Sequence, residues 1–362
     1  MVTSRGAKAA PRKGIRVREV NEPPYEIDEG QLQRYDQKSL IFHRAGHDRD
    51  FAGYGIGFDR EGLKRIREGR PGYTRVDYAL SEASWTVHDV WVDSFSWDRL
   101  PRPHGPSLMG DQWYRERYDV EDPSKMAERV KRAALLYGAD LVGIAELDER
   151  WLYHNMRYTL EPIEFPEEMR YAVVIAVEMD EMGIATSPGC LASAATGLGY
   201  SRMAFVASTL AEFIRNLGYS AVPAGNDVGL SVPLAIDAGL GELGRHGMLI
   251  TPEYGPRVRL CKVYTDLPLE VDRPVEFGVK EFCKGCKLCA KACPVEAIPG
   301  ERDPGWEPAC SSSNPGALKW YVDGEKCYVY WLDNGTDCSN CVSIGPFNPG
   351  PPEASPEEFW SE

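Results

Sequence analysis

Apolar positions recur along the middle of this chain with periods that predict regular elements. Residues 141–145 and 171–177 are continuous apolar runs of strand length, and 258–264 alternates as a strand. Met203, Ala207, Leu210, Phe213, Ile214 and Leu217 recur at helical spacing ahead of Gly218, a fitting helix stop. A further helix is expected behind Asp122-Pro123, an N-cap followed by proline at the first helical position, with Met126, Val130, Ala133 and Tyr137 on one face. A short strand follows at 220–223. Strands alternating with helices predict an α/β (α+β) core whose sheet is as open to mixed as to parallel directions. Ahead of it, residues 1–115 are rich in Pro, Gly, Asp, Arg and aromatics without sustained periodicity. They read as a loop-rich wrap carrying little chemistry.

Charge and length narrow the function classes. A formal net charge of −14 excludes the basic stripe that nucleic-acid binding requires. No run of eighteen apolar residues occurs that would span a bilayer, and residues 1–14 lack the apolar region of a secretory signal. Either the protein is cytoplasmic or a signal has been removed.

The ten cysteines are unevenly spread, with eight of them between Cys283 and Cys341 and only Cys190 and Cys261 ahead. Such crowding points to metal rather than to disulfides. Cys283-x-x-Cys286-x-x-Cys289-x-x-x-Cys293-Pro294 is the bacterial ferredoxin run, in which three thiolates hold one iron–sulfur cluster and the fourth reaches to another. Zinc is disfavoured because it usually draws two ligands from each of two separated knuckles. Cys327, Cys338 and Cys341 complete a second cluster with Cys293. The cluster of Cys283, Cys286 and Cys289 then lacks a fourth thiolate, since Gly345 stands where a return cysteine is expected ahead of Pro346. Cys310 is the candidate substitute; otherwise the cluster is three-iron or its fourth iron carries water or another side chain.

Gly239, Gly241 and Gly244 spell the dinucleotide fingerprint, yet the glycines and prolines of 245–256 cannot form the helix which that motif opens. The alternative is close backbone approach to a large flat cofactor, with Arg245 and His246 as further candidate cofactor contacts.

Taken together, Tyr25-Glu26-Ile27-Asp28, Gly199-Tyr200-Ser201, the stretch 226–256, Ser313-Asn314-Pro315-Gly316, Lys319-Trp320-Tyr321, the stretch 334–341 and Pro346-Phe347-Asn348 resemble the corrinoid-dependent reductive dehalogenases of organohalide respiration. The chain looks like a mature catalytic subunit without its twin-arginine signal. The resemblance implies a nitroreductase-like corrinoid-binding core over 116–272, a ferredoxin-like iron–sulfur domain over 273–350, and a tail over 351–362. It implies a base-off, cobalamin-type corrinoid and two iron–sulfur clusters, one [4Fe-4S] and a second [4Fe-4S] or [3Fe-4S]. None of the six histidines has an aspartate two residues before it, so the usual lower-ligand motif for histidine-bound cobalamin is absent.

The implied reaction, R–X plus two electrons and a proton giving R–H and halide, makes Tyr200 the proton donor, at the start of the 203–217 helix. Arg259 matches the family's active-site arginine, a guanidinium that favours phenolate in a nearby phenol. Asn226 would orient the phenol or the leaving halide. Implied partners are a small organohalide, a small membrane-anchor protein and an upstream electron donor at the outer face of the cytoplasmic membrane. Competing readings are an epoxyqueuosine-reductase-like enzyme, which the net charge opposes, and a non-catalytic electron-transfer protein, which would bind no corrinoid.

Overall fold

The computed structural model describes residues 6–91, 116–156, 161–348, 350–351 and 353–361. After two short strands, β1 (Gly6–Ala7) and β2 (Arg18–Glu19), come three helices: α1 (Ile41–His47), α2 (Asp59–Glu68) and α3 (Arg75–Trp91). The loop-rich expectation for 1–115 is therefore wrong over 41–91; positions 92–115 lie outside the described residues. α2 has acids in its first turn, arginines in its last and a left-handed Gly69 at its end, so it is stabilised at its termini more than by an apolar stripe.

Where the pattern was strong, elements form as it requires. α4 (Pro123–Tyr137) starts at Asp122, whose carboxylate accepts from the amides of Ser124 and Lys125, and stops at a left-handed Gly138. Then follow β3 (Leu141–Glu146), β4 (Tyr171–Glu178), α5 (Glu181–Ala185), α6 (Cys190–Asn216), β5 (Ala221–Ala224), α7 (Ser231–Asp237), the hairpin β6 (Glu242–Leu243) and β7 (Leu249–Ile250), and β8 (Val258–Thr265). α6 begins well ahead of the expected position because Ser193, Thr196 and three small alanines break the apolar stripe of its first turns while remaining buried.

The five-stranded sheet runs β1-β3-β4-β8-β5, and every pairing in it is antiparallel. This corrects the mixed or parallel expectation. α6 carries the chain from β4 to β5, but β8 inserts between those two strands and pairs with both, an event that period alone cannot foresee. Alternation along β8 serves two cores: Cys261 and Val263 pack with α4 and α6, while Leu260 and Tyr264 pack with α7 on the other face. The C-terminal part adds β9 (Val275–Glu276), paired with β2, and then α8 (Val279–Gly285), α9 (Leu288–Ala292), α10 (Gly324–Asn334) and α11 (Asn340–Ser343). Buried Arg257 ties this part to the sheet, donating to Asn348 Oδ1 at 2.7 Å, to Glu178 at 2.9 Å and to the Met179 carbonyl.

Lys262 of β8 is fully buried, and its Nζ donates to the carbonyls of Gly225 (2.5 Å), Asp227 (3.0 Å) and Gly229 (2.6 Å) and to Ser231 Oγ (3.0 Å). Burial lowers its pKa, opposed by Asp227 and Cys261. Lys262→Met leaves those carbonyls unsatisfied and is expected to cost about 3 kcal/mol, read as a lower urea midpoint at unchanged slope. Asp237, at the end of α7, accepts from Tyr25 OH at 2.7 Å, and burial pushes its carboxyl up to about 7. Between the unfolded value near 3.8 and about 7 the folded state binds more protons, so this group's contribution to stability falls as pH rises through that window. Asp237→Asn removes it: urea midpoints measured from pH 4 to 7 should decline less steeply in the variant than in the wild type.

Candidate functional site

A cavity of about 640 Å³ opens where α6, the loop after β5, β8 and α3 meet. Tyr200 sits in the interior of α6, not at its start, and points to this cavity from a helix buried along most of its length. Asn226 Nδ2 donates to Tyr200 OH at 2.6 Å, and the loop that carries Asn226 is the one caged by Lys262. Arg259 lies with its guanidinium carbon 5.1 Å from the centroid of the Tyr200 ring, and its Nη2 donates to Thr196 Oγ1 at 3.3 Å. The cation therefore covers the ring face. Tyr200, Arg259 and Asn226, predicted from separate stretches, are brought together.

The buried Nε of Arg259 has no hydrogen-bond partner among the described residues. Arg259 lines the cavity, so its guanidinium presents positive charge there. Asp337 lines the same cavity; burial pushes its carboxyl up, while Ser193 and Arg259 pull it down.

Two functional residues escaped the sequence reading. Trp85 stacks on Tyr200 at 4.9 Å and 26°, and His88 meets it edge-on at 5.0 Å. Both come from α3, which lies along α6. Tyr78, Ser81, Trp85 and His88 all line the cavity, and their helical spacing was a readable signal. The close approach needs Gly197: a Cβ there would stand 2.5 Å from the Trp85 ring. Gly199 likewise leaves room for Arg259, whose Cγ would be 2.9 Å from an added Cβ. Phe42, Phe58, Leu63 and Ile66 of α1, α2 and the segment joining them give the cavity an apolar mouth above its polar floor.

A second cavity of about 360 Å³ shares Leu40 in its wall with the first. Tyr25, Ser231, His246, Asn314, Lys319 and Tyr321, drawn from distant stretches, share its wall. Burial lowers Lys319 to about 8 and His246 to about 4.

The glycines offered as a cofactor cradle are otherwise used. A Cβ on Gly239 would meet the Arg273 carbonyl oxygen at 2.3 Å, and one on Gly241 the Ile250 carbonyl oxygen at 2.1 Å, so both are packed against backbone. Gly244 faces the His246 ring and Ile250. Arg245 points away into the cysteine-bearing segment, bonding the carbonyls of Cys283 and Cys286. Only His246 of that group lines the second cavity.

The cysteines fall into two neighbourhoods. Cys283, Cys286 and Cys289 act electrostatically on one another, as do Cys293, Cys327, Cys338 and Cys341, and Cys289 and Cys341 join the two groups. This is the division that the spacing predicted. Burial pushes Cys289 up to about 11 and Cys327 to about 12. Cys310 lies 3.6 Å from Ser313 Oγ and acts on Tyr35, with no such interaction shown to the cysteines it was to complete. Beside Gly345 an added Cβ would meet nothing within 4 Å.

Residues 159–269 match the family model for a reductive dehalogenase subunit, and 279–298 match a 4Fe-4S binding domain. The chain is 42% identical over 295 residues to a tetrachloroethene reductive dehalogenase of Desulfitobacterium hafniense, covering 70% of this chain and 52% of that protein. It thus spans about half the length of the curated relatives it matches. Among solved structures it is similar to the catabolic reductive dehalogenase NpRdhA, at 27% identity and a TM-score of 0.69, over 93% of this chain and 45% of that one. A reductive dehalogenase structure described in terms of B12-dependent dehalogenation matches at 26% identity and a TM-score of 0.68, over 92% of this chain and 44% of that one. Agreement across both the sheet core and the cysteine-bearing segment places the chain in the reductive dehalogenase family.

Proposed function

We propose that this protein removes halide from a small organohalide, R–X plus two electrons and a proton giving R–H and X⁻, with Tyr200 as proton donor. The observation that carries the reading is the Arg259 guanidinium over the ring of Tyr200, whose hydroxyl Asn226 holds, in the wall of a cavity also lined by Phe42, Phe58, Leu63 and Ile66. An apolar mouth admits a haloalkene or haloarene. The half-buried guanidinium of Arg259 in the cavity wall stabilises the halide as it separates. Asn226 fixes the direction of the phenol, which must face the carbon that receives its proton.

A base-off corrinoid, when bound, would supply the electrons that break the carbon–halogen bond. The two cavities, which share Leu40 in their walls, fall within the size range of cofactor sites, and Ser231, His246, Asn314, Lys319 and Tyr321 are the residues that would hold it. Asp337 lines the reaction cavity and the next residue, Cys338, belongs to the larger cysteine group, so electrons need only a short path from that group. We assign that group a [4Fe-4S] cluster and the group of Cys283, Cys286 and Cys289 a [3Fe-4S] or open-cornered cluster. No described helix is long and apolar enough to cross a membrane. On this reading the protein works at the outer face of the cytoplasmic membrane, with a small membrane-anchor protein and an upstream electron donor as partners.

Protein purified without oxygen from a corrinoid-producing host should carry about one cobalt and dechlorinate tetrachloroethene with a low-potential reductant; iron without cobalt would leave an electron-transfer protein. Tyr200→Phe should retain cobalt and iron while losing roughly 10²- to 10⁴-fold in kcat. Arg259→Met should weaken turnover and the binding of added halide together. In Gly345→Cys, where the site has room for a thiol, iron should rise from about seven to about eight per chain if the first cluster is three-iron.

A further inference from the structure

Arg245 is wholly buried, and every hydrogen bond found for its guanidinium goes to a carbonyl oxygen. Nε donates to Cys283 and Cys286, both at 3.2 Å; Nη2 donates to Cys283 at 2.5 Å; Nη1 donates to Pro299 at 2.8 Å and Glu301 at 2.7 Å. The Trp320 indole covers the guanidinium with its centroid 4.4 Å away, and Trp320 Nε1 donates to the same Glu301 carbonyl at 3.2 Å. Among the described residues no Asp or Glu forms an ion pair with it.

Carbonyl dipoles solvate a cation but do not neutralise it. A guanidinium stays protonated in proteins, and burying it without a counter-charge is strongly unfavourable. Glu242 lies near Cys283, but its carboxylate accepts from the amides of Phe277 and Val279 and makes no ion pair with Arg245. The remaining groups near the guanidinium that could carry negative charge are the thiols of Cys283, Cys286 and Cys289, the first two on residues whose carbonyls it binds. Thiolates around an iron–sulfur core form a net anion.

We propose that Arg245 is the internal counter-ion of the cluster held by Cys283, Cys286 and Cys289, and that it raises the reduction potential of that cluster. When the cluster takes one electron from an external reductant its negative charge grows by one, and a fixed cation beside it favours the reduced state. The proposal rests on the iron–sulfur reading of the four-cysteine run and is independent of dehalogenation. It bears on this cluster in particular, because Gly345 leaves it short of one thiolate and gives it a charge unlike that of its neighbour.

The test is an electron paramagnetic resonance redox titration of the iron-loaded full chain, comparing the wild type with Arg245→Gln, Arg245→Met and Arg245→Lys, with iron content measured for each. The neutral variants should shift one of the two cluster signals to lower potential by at least about 59 mV, tenfold in a one-electron equilibrium, and leave the other in place. Arg245→Lys, which keeps the charge but not the fork of hydrogen bonds, should stay near the wild type. A neutral variant at wild-type potential overturns the proposal, as does a lysine variant that shifts with the neutral ones. If neither neutral variant holds iron, retention by the lysine variant supports the charge, and loss in all three assigns Arg245 to the shape of the loop instead.

Discussion

Lys262 gives its ammonium to three carbonyls of the loop after β5 and to Ser231, in the middle of a sheet where water does not reach. A backbone segment with so many carbonyls turned inward could not stay buried without such a donor. The same loop presents Asn226, which in turn fixes the hydroxyl of Tyr200. Three positions earlier on β8, Arg259 faces α6 on the opposite side of the sheet and covers the ring of that tyrosine. One strand thus sends alternate side chains to two faces and converges on one phenol from both the backbone and the ring face. The antiparallel insertion of β8 between β4 and β5 makes this possible.

Arginines at 245 and 257 divide a different task. Arg257 bridges the sheet to the C-terminal segment through Asn348, while Arg245 gathers carbonyls from both ends of the first cysteine run. Both are buried almost entirely, yet their partners differ: Arg257 pairs with carboxylates of Glu178 and Glu181, and Arg245 with none among the described residues. Shape alone could have been supplied by apolar packing, so the retained charges single out these two junctions.

Residues that act through local spacing were legible in the sequence. The run from Cys283 to Cys293, the Asp122 cap, and strands β3, β4 and β8 all declare themselves within about ten residues. The direction of the sheet did not, because apolar runs carry no sign. The glycines at 239 and 241 matched a ligand motif by letter, but what they make room for is the backbone of Arg273 and Ile250, remote in sequence. Arg245 looked like a contact for a flat cofactor because its acceptors lie some forty to fifty residues downstream. Trp85 and His88 were missed since α3 mixes Ser81, Ser84 and His88 into its inner face, which dilutes the apolar period without disturbing the helix.

The absence of a side chain at Gly197 lets an indole from α3 lie against the phenol on α6. The outer wall of the cavity is thereby carried by a helix that contributes no strand, no cysteine and no cation to the rest of the site. Trp85 and His88 of that helix pack on Tyr200, so the helix that shapes the cavity also sets the surroundings of the phenol. An exchange at Tyr78 or Ser81, a turn or more away on the same wall, would recut the cavity with those two rings left in place.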